Sequence, residues 1–186
     1  SVTASGTGTV TYQWYSNEDN DNTGGTLLTG ETSSTYTPSV SSVGTMYYYV
    51  VVHSSCGSDV TSDVATVTVT ANTSISVQPA ASTSVCAGGT APELSVTAGG
   101  TGTVTYQWYS NTTNSNSGGE EISGETDPAY TPSVSSVGTM YYFVVVHSAC
   151  GPDVTSNISS VVVTANTSIS AHPTSLSTVC AGSTAP

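Results

Sequence analysis

The residues with the greatest chemical capacity sit in one short stretch that occurs twice: His53, Ser54, Cys56 and Asp59 in "HSSCGSD", and His147, Ser148, Cys150 and Asp153 in "HSACGPD". A nucleophile, a base and an acid are the parts of a hydrolytic triad. Triads assemble their members from separated elements, with a group that orients the base and donors aimed at an oxyanion. Here every member crowds a single turn, so the expected role is structural and no catalytic residue is assigned. The third histidine, His172, stands where the other copy has Gln78, which argues against a role common to both copies.

The other candidate chemistry is ionic. The loop "NEDNDNTGG" begins like a calcium loop at Asp19, Asp21 and Gly24, but its twelfth position is Gly30, where such a loop requires a bidentate Glu. The equivalent loop, "NTTNSNSGG", has neither aspartate. A solvated hairpin is the better account, and neither a metal nor any other cofactor is expected. Asn-X-Ser/Thr triplets at Asn72, Asn111, Asn157 and Asn166 are glycosylation candidates. Such triplets also arise by chance in a chain this rich in Asn, Ser and Thr, and sugars on the hydroxyls are an equal alternative.

These features recur because the chain is duplicated. A shift of 94 positions superposes Trp14 on Trp108, Tyr36 on Tyr130, Cys56 on Cys150 and Cys86 on Cys180. Roughly 70 % of the overlapped positions are identical, the mark of a tandem repeat. The 186 residues carry no Lys or Arg and 12 Asp plus Glu, a formal charge of -12. Phosphate backbones and anionic bilayers are bound through Lys and Arg, so nucleic acid and direct anionic-membrane binding are excluded. Apolar burial, backbone ladders and disulfides must hold the fold. Four cysteines at the repeat period, without metal-ligand spacing, read as disulfides in an oxidising compartment. No apolar run reaches membrane-spanning length, and any export segment is expected outside this sequence or removed.

The elements that position these residues read as strands. Helical periodicity is missing, and short runs rich in Val, Thr and Tyr alternate with Gly, Ser, Asn and Pro clusters. In the uninterrupted copy the spacing predicts strands at 75–79, 94–98, 104–110, 121–123, 129–131, 140–147 and 157–164. About seven short strands is the count of an immunoglobulin-like β-sandwich. Alternation puts Val104, Tyr106, Trp108 and Ser110 on one face and Thr105, Gln107 and Tyr109 on the other, making Trp108 and its counterpart Trp14 the core tryptophans. A Gly followed by tyrosines in "SVGTMYY" matches a tyrosine corner, with Tyr141 or Tyr142, and Tyr47 or Tyr48, bonding back to the preceding loop. No flexible tract separates the copies, so they are expected to stack nearly rigidly.

Taken in order, "CAGGTAPELSVTAGGTGTVTYQWYSN", "YTPSVSSVGTMYYFVVV" and "ACG" before a Val-rich last strand resemble the Ig-like repeats of very large bacterial surface adhesins, many exported by a type IX system in gliding and biofilm-forming bacteria. The resemblance implies an extracellular, non-catalytic, repetitive role in adhesion or filament formation. It names no ligand.

The cysteines raise a question of connectivity. Four permit three pairings. The expected pair is Cys86 with Cys150, closing a loop of about 65 residues worth about 4 kcal/mol in the chain-entropy model. By the same rule Cys56 lacks a partner upstream, and its expected partner is the equivalent of Cys180 in an adjoining unit. The expected domains are accordingly 1–72, an Ig-like domain completed by the adjoining unit; 73–166, a complete one; and 167–186, the opening strand of a further domain. The junction of the copies reads "TAP-EL-SVTA", so adding Glu-Leu to 186 residues gives 188, two periods. Either the sequence is a window on a longer repetitive chain, or strands are exchanged between identical subunits. The function read from these features is that of a structural extracellular protein at the cell surface. The alternative is a carbohydrate-binding or accessory module, with Tyr15 and Tyr109 presenting an aromatic platform and surface glycans as partners.

Overall fold

The computed structural model describes residues 1–173 and 180–182. Of the 167–186 segment expected to open a further domain, residues 174–179 and 183–186 lie outside the described residues. All regular structure among the described residues is β. The chain divides into two compact units, the first comprising residues 1–74 with 99–104 and 147–153, the second 75–98, 105–146 and the chain from 154 onward.

In the first unit β1 (Thr11–Asn17), β2 (Thr26–Leu27), β3 (Gly44–His53), β4 (Val60–Thr61) and β5 (Ala65–Val69) form one antiparallel sheet. The run of tyrosines and valines in β3 suits a strand covered on both faces, and β3 lies at the centre. Trp14 stands opposite Val50 in the β1 ladder. The other edge of β3 is shared by β5, beside Gly44–Tyr48, and β4, beside Val51 and Val52. Trp14 is buried, and its indole N–H donates to Ser33 O at 2.8 Å, so the polar handle is not stranded. On the opposite face Tyr49 stacks on Tyr15 with centroids 5.1 Å apart, and its hydroxyl accepts the N–H of Gly25 at 3.0 Å.

The second unit contains β6 (Ser74–Val77), which starts at the boundary, then β7 (Ser82–Cys86), β8 (Leu94–Ser95), β9 (Thr97–Gly99), β10 (Thr105–Asn111), β11 (Glu120–Glu121), β12 (Ala129–Tyr130), β13 (Gly138–His147), β14 (Val154–Thr155) and β15 (Ser159–Thr164). The main sheet runs β11-β10-β13-β15-β7, with β14 also on β13, while β8 pairs β12 and β6 pairs β9. Tyr130 of β12 packs against Trp108 of β10 and Tyr142 of β13, with centroids 5.8 and 5.6 Å apart, which ties the short ladders to the main sheet. Leu94, Trp108, Val144, Val146 and Val161 are fully or almost fully buried between them.

Three expectations need correction. The polar stretch Ser82–Cys86 is a strand, running parallel to β15 with Cys86 opposite Thr164. The expected strand at 94–98 is two strands, because Val96 turns its N–H to Pro128 O while β8 and β9 pair with different partners. The tyrosine corner is not formed. Tyr142 is buried and Tyr141 half-buried, and neither hydroxyl makes a hydrogen bond among the described residues. The same is true of Tyr48 and Tyr47. The ring of Tyr142 serves the aromatic cluster instead.

Candidate functional site

The paired turns have one geometry. His53 Nδ1 and Asp59 Oδ1 lie 2.6 Å apart, as do His147 Nδ1 and Asp153 Oδ1, and all four side chains are well exposed. Ser54 Oγ donates to Cys56 O at 2.9 Å, while Ser148 Oγ lies 3.2 Å from Cys150 O and 2.9 Å from Thr73 Oγ1, so neither hydroxyl is bonded to the imidazole. The His-Asp pair braces the turn between two strands. Among the described residues no three His, Cys, Asp or Glu side chains converge on a point where an ion could sit.

Cys56, Cys86 and Cys150 carry free thiols, and the Cys86–Cys150 bond expected from the sequence is absent. The reason is register. Cys86 is level with Thr164, and Val163 with Gly138, so Cys86 stands just past the first residue of β13. Cys150 lies three residues past the other end of that strand, His147. Ten residues of strand separate the two ends by roughly 30 Å, whereas a disulfide needs Cα atoms within about 7 Å. The same relation rules out a bond between Cys56 and a Cys180 equivalent inside one sandwich.

A second feature lies on the first unit. A groove of about 270 Å³ is lined by Val2, Thr3, Ala4, Val52, Val60 and Ser62, among others. Val2, Val52, Ser54 and Ser62 are half-buried there, while their counterparts Val96, Val146, Ser148 and Ser156 are buried. Along β5 the pattern repeats: Val67 and Val69 are half-buried, but Val161 and Val163 are covered. Thr73 covers Ser148, its Oγ1 2.9 Å from the serine Oγ, and in the second unit β6 pairs with β9 (counterpart of residues 3–5) and β7 with β15. Gln78, just past β6, fastens that segment, its Oε1 accepting the N–H of Asn157 at 2.8 Å. Reading the sequence singled out neither the groove nor this contact. The signal available was a pair of substitutions between copies, Gln78 to His172 and Asn157 to Asp63.

The remaining candidates are placed plainly. Asn17 and Asp21 bond within the acidic loop, Asn17 donating to Asp21 O and Thr23 O and Asp21 Oδ1 accepting from Thr23. Asn111 is engaged in the same way, through Ser115 O, Ser117 O and Thr113. Asn166 donates to Ala87 O at 3.0 Å, Asn72 Oδ1 lies 3.5 Å from Cys150 Sγ, and the Asn157 side chain is exposed with no partner among the described residues. Tyr109 stacks on the buried Phe143 as Tyr15 does on Tyr49, so each covers a ring of its own sheet.

The fold is that of an all-β protein of immunoglobulin-like domains. The chain belongs to the family described as a domain of unknown function (DUF8696), which matches it twice, at residues 1–71 and 75–165. Among solved structures it is similar to extracellular domains 3–5 of Drosophila OTK, at 16% identity over 84% of this chain and 52% of that one, with a TM-score of 0.50. It is also similar to the N-terminal eight Ig domains of Down Syndrome Cell Adhesion Molecule, at 10% identity over 87% of this chain and 21% of that one, with a TM-score of 0.51. The fibronectin(III)-like modules of Clostridium thermocellum CbhA align over 91% of this chain and 88% of theirs, at 16% identity and a TM-score of 0.39. Such identities show the fold alone. No curated protein matches the chain. No helix among the described residues is long and apolar enough to cross a membrane.

Proposed function

We propose that this chain is a non-catalytic stretch of an extracellular shaft, a surface filament or stalk of the kind built by large type IX-exported bacterial adhesins in gliding and biofilm-forming cells. Its partners are further repeats or identical subunits, head to tail. The groove on the first unit takes the segment Ser168–Pro173 of the repeat before it in the array, which is the counterpart of β6 and the residues after it. The observation that carries this reading is the matched difference in burial between Val2, Val52, Ser54 and Ser62 and their four counterparts. Two exposed apolar side chains are complementary in it, Ile169 at 70 % exposure on the segment and Val60 at 65 % on the groove wall. Monomeric surfaces tolerate single exposed apolar residues, but a groove and a segment whose counterpart, β6, fills the same place in the second unit are the two halves of strand addition.

One hydrogen bond of the second unit carries over to this pairing. Where the second unit has Gln78 against Asn157, the groove has Asp63 and the incoming segment His172. The bond in the second unit runs to the backbone N–H of Asn157, a donor that Asp63 keeps, and an imidazole nitrogen of His172 is an acceptor for it as Gln78 Oε1 is in the second unit. The test is hydrogen exchange in dilute solution on two copies joined 186-to-1 through Glu-Leu. The amides of residues 3–5 are expected to be protected in the second copy, which has the segment in front of it, and to exchange rapidly in the first. Equal rates in both copies would contradict the reading.

A further inference from the structure

Each unit shows one half of a joint. In the first unit Asn72 Oδ1 lies 3.5 Å from Cys150 Sγ, and Cys150 O accepts the N–H of Thr73 at 3.0 Å. Any side chain on Gly151 would press on Asn72, since a Cβ there would lie 3.0 Å from the Asn72 Cβ. In the second unit Asn166, the counterpart of Asn72, donates through Nδ2 to Ala87 O at 3.0 Å. Ala87 N in turn donates to Thr164 O at 2.9 Å, and Cys86 is the ladder partner of Thr164. The same asparagine therefore touches the cysteine turn of one repeat at one position, and the residue after the strand cysteine at the other.

From the superposition of these halves we propose that the cysteines staple consecutive domains: Cys86 bonds the cysteine that occupies the Cys150 position of the following repeat, which in copies joined 186-to-1 is Cys56 of the next copy. Cys150 correspondingly bonds the Cys86 counterpart of the preceding repeat, the position held in this sequence by Cys180. The partner expected from sequence is displaced by one domain, which removes the separation along β13 that forbids the bond inside a sandwich. Both Cys56 and Cys86 are exposed, as a bond across a domain joint requires. In the reaction two thiols lose two protons and two electrons to a disulfide oxidant such as oxidised glutathione, which leaves as two thiols, and one S–S bond forms.

This inference rests on the head-to-tail reading and is tested so that the two can fail separately. Two copies joined through Glu-Leu are equilibrated with oxidised and reduced glutathione, alkylated, and digested with a Glu-specific protease and chymotrypsin, because the chain has no Lys or Arg for trypsin. The expected map links Cys86 of the first copy to Cys56 of the second, and Cys180 of the first to Cys150 of the second. Cys56→Ser in the second copy is expected to free Cys86 for alkylation while leaving the other link in place. A Cys86–Cys150 link within the first copy, or Cys86 and Cys56 both alkylated, overturns the staple. Hydrogen exchange on the same joined chain reports independently whether the groove is filled.

Discussion

The Oε1 of Gln78 accepts the backbone N–H of Asn157 at 2.8 Å, which ties the segment following β6 to the loop before β15. Transferred by one repeat, the pair is His172 and Asp63. Because the donor is a backbone N–H, the side chain at position 172 carries the contact and the side chain at position 63 does not. His172→Ala is expected to weaken association between copies, and His172→Gln, which restores the acceptor of the second unit, to preserve it. Sedimentation velocity across a concentration series checks this. Unchanged association in His172→Ala would contradict the contact.

Buried hydroxyls separate the two units. Ser156 Oγ accepts the N–H of Val144 at 3.0 Å and donates to Asn157 O at 2.9 Å, with the residue fully buried. Its counterpart Ser62 makes the same bonds but is only half-buried. Ser156→Ala is predicted to destabilise its unit by about 1–3 kcal/mol, because the Val144 N–H is left buried and unpaired, and Ser62→Ala by less, because water reaches that site. Urea unfolding followed by near-UV signals of Trp108 and Trp14 measures both.

Gly119 has room for nothing larger. A Cβ there would meet Phe143 Cε1 and Ser110 O, each at 2.8 Å. The carbonyl is backbone and cannot retreat cheaply, so Gly119→Ala is predicted to cost about 1–3 kcal/mol of stability. Gly118→Ala is the comparison. Its Cβ would meet nothing, but the residue has φ +68, so any loss there comes from backbone strain alone. Equal losses accompanied by an unshifted Phe143 ring in the spectrum of Gly119→Ala would count against the packing argument.

The aromatic cluster predicts an alkaline limit. Burial raises the hydroxyl pKa of Tyr142, and burial followed by the charges of Tyr142 and Glu125 raises that of Tyr130. A tyrosine with a raised folded-state pKa is protonated in the native form after the unfolded form has begun to ionise. The native state then binds more protons, so its stability is complete below the ordinary value near 10 and falls as pH rises through and beyond it. The urea midpoint is expected to decline above about pH 10 and to decline less in Tyr142→Phe. An identical alkaline decline in both proteins would contradict this assignment.

Much of the sandwich was legible because its strands carry strong signals. The alternation around Trp108, the Val-rich run of β15 and the Tyr-Val run of β13 each identify a strand that must be buried on at least one side. β7 was illegible because "STSVC" has little apolar content and pairs along an edge, where the ladder and not a hydrophobic face holds it. The Cys pairing was misread for a related reason. Loop-closure entropy favours joining residues far apart in sequence, but it is blind to which end of a sandwich each occupies. That is decided by the parallel register of β7 on β15 and the antiparallel register of β15 on β13. The groove was hidden in the same way, since the sequences of its walls in the two copies are nearly alike and only their burial differs.

On the proposed reading the first-unit groove is filled by the Ser168–Pro173 segment of the preceding repeat. Electron cryomicroscopy of the native assembly would show the occupant of the groove. Ile169 is expected to lie against Val2, Val52 and Val60, the His172 ring to meet the backbone N–H of Asp63, and the backbone to be traceable from this segment to a repeat in front. A groove that stands open in the assembly, or one filled by any other sequence, would contradict it.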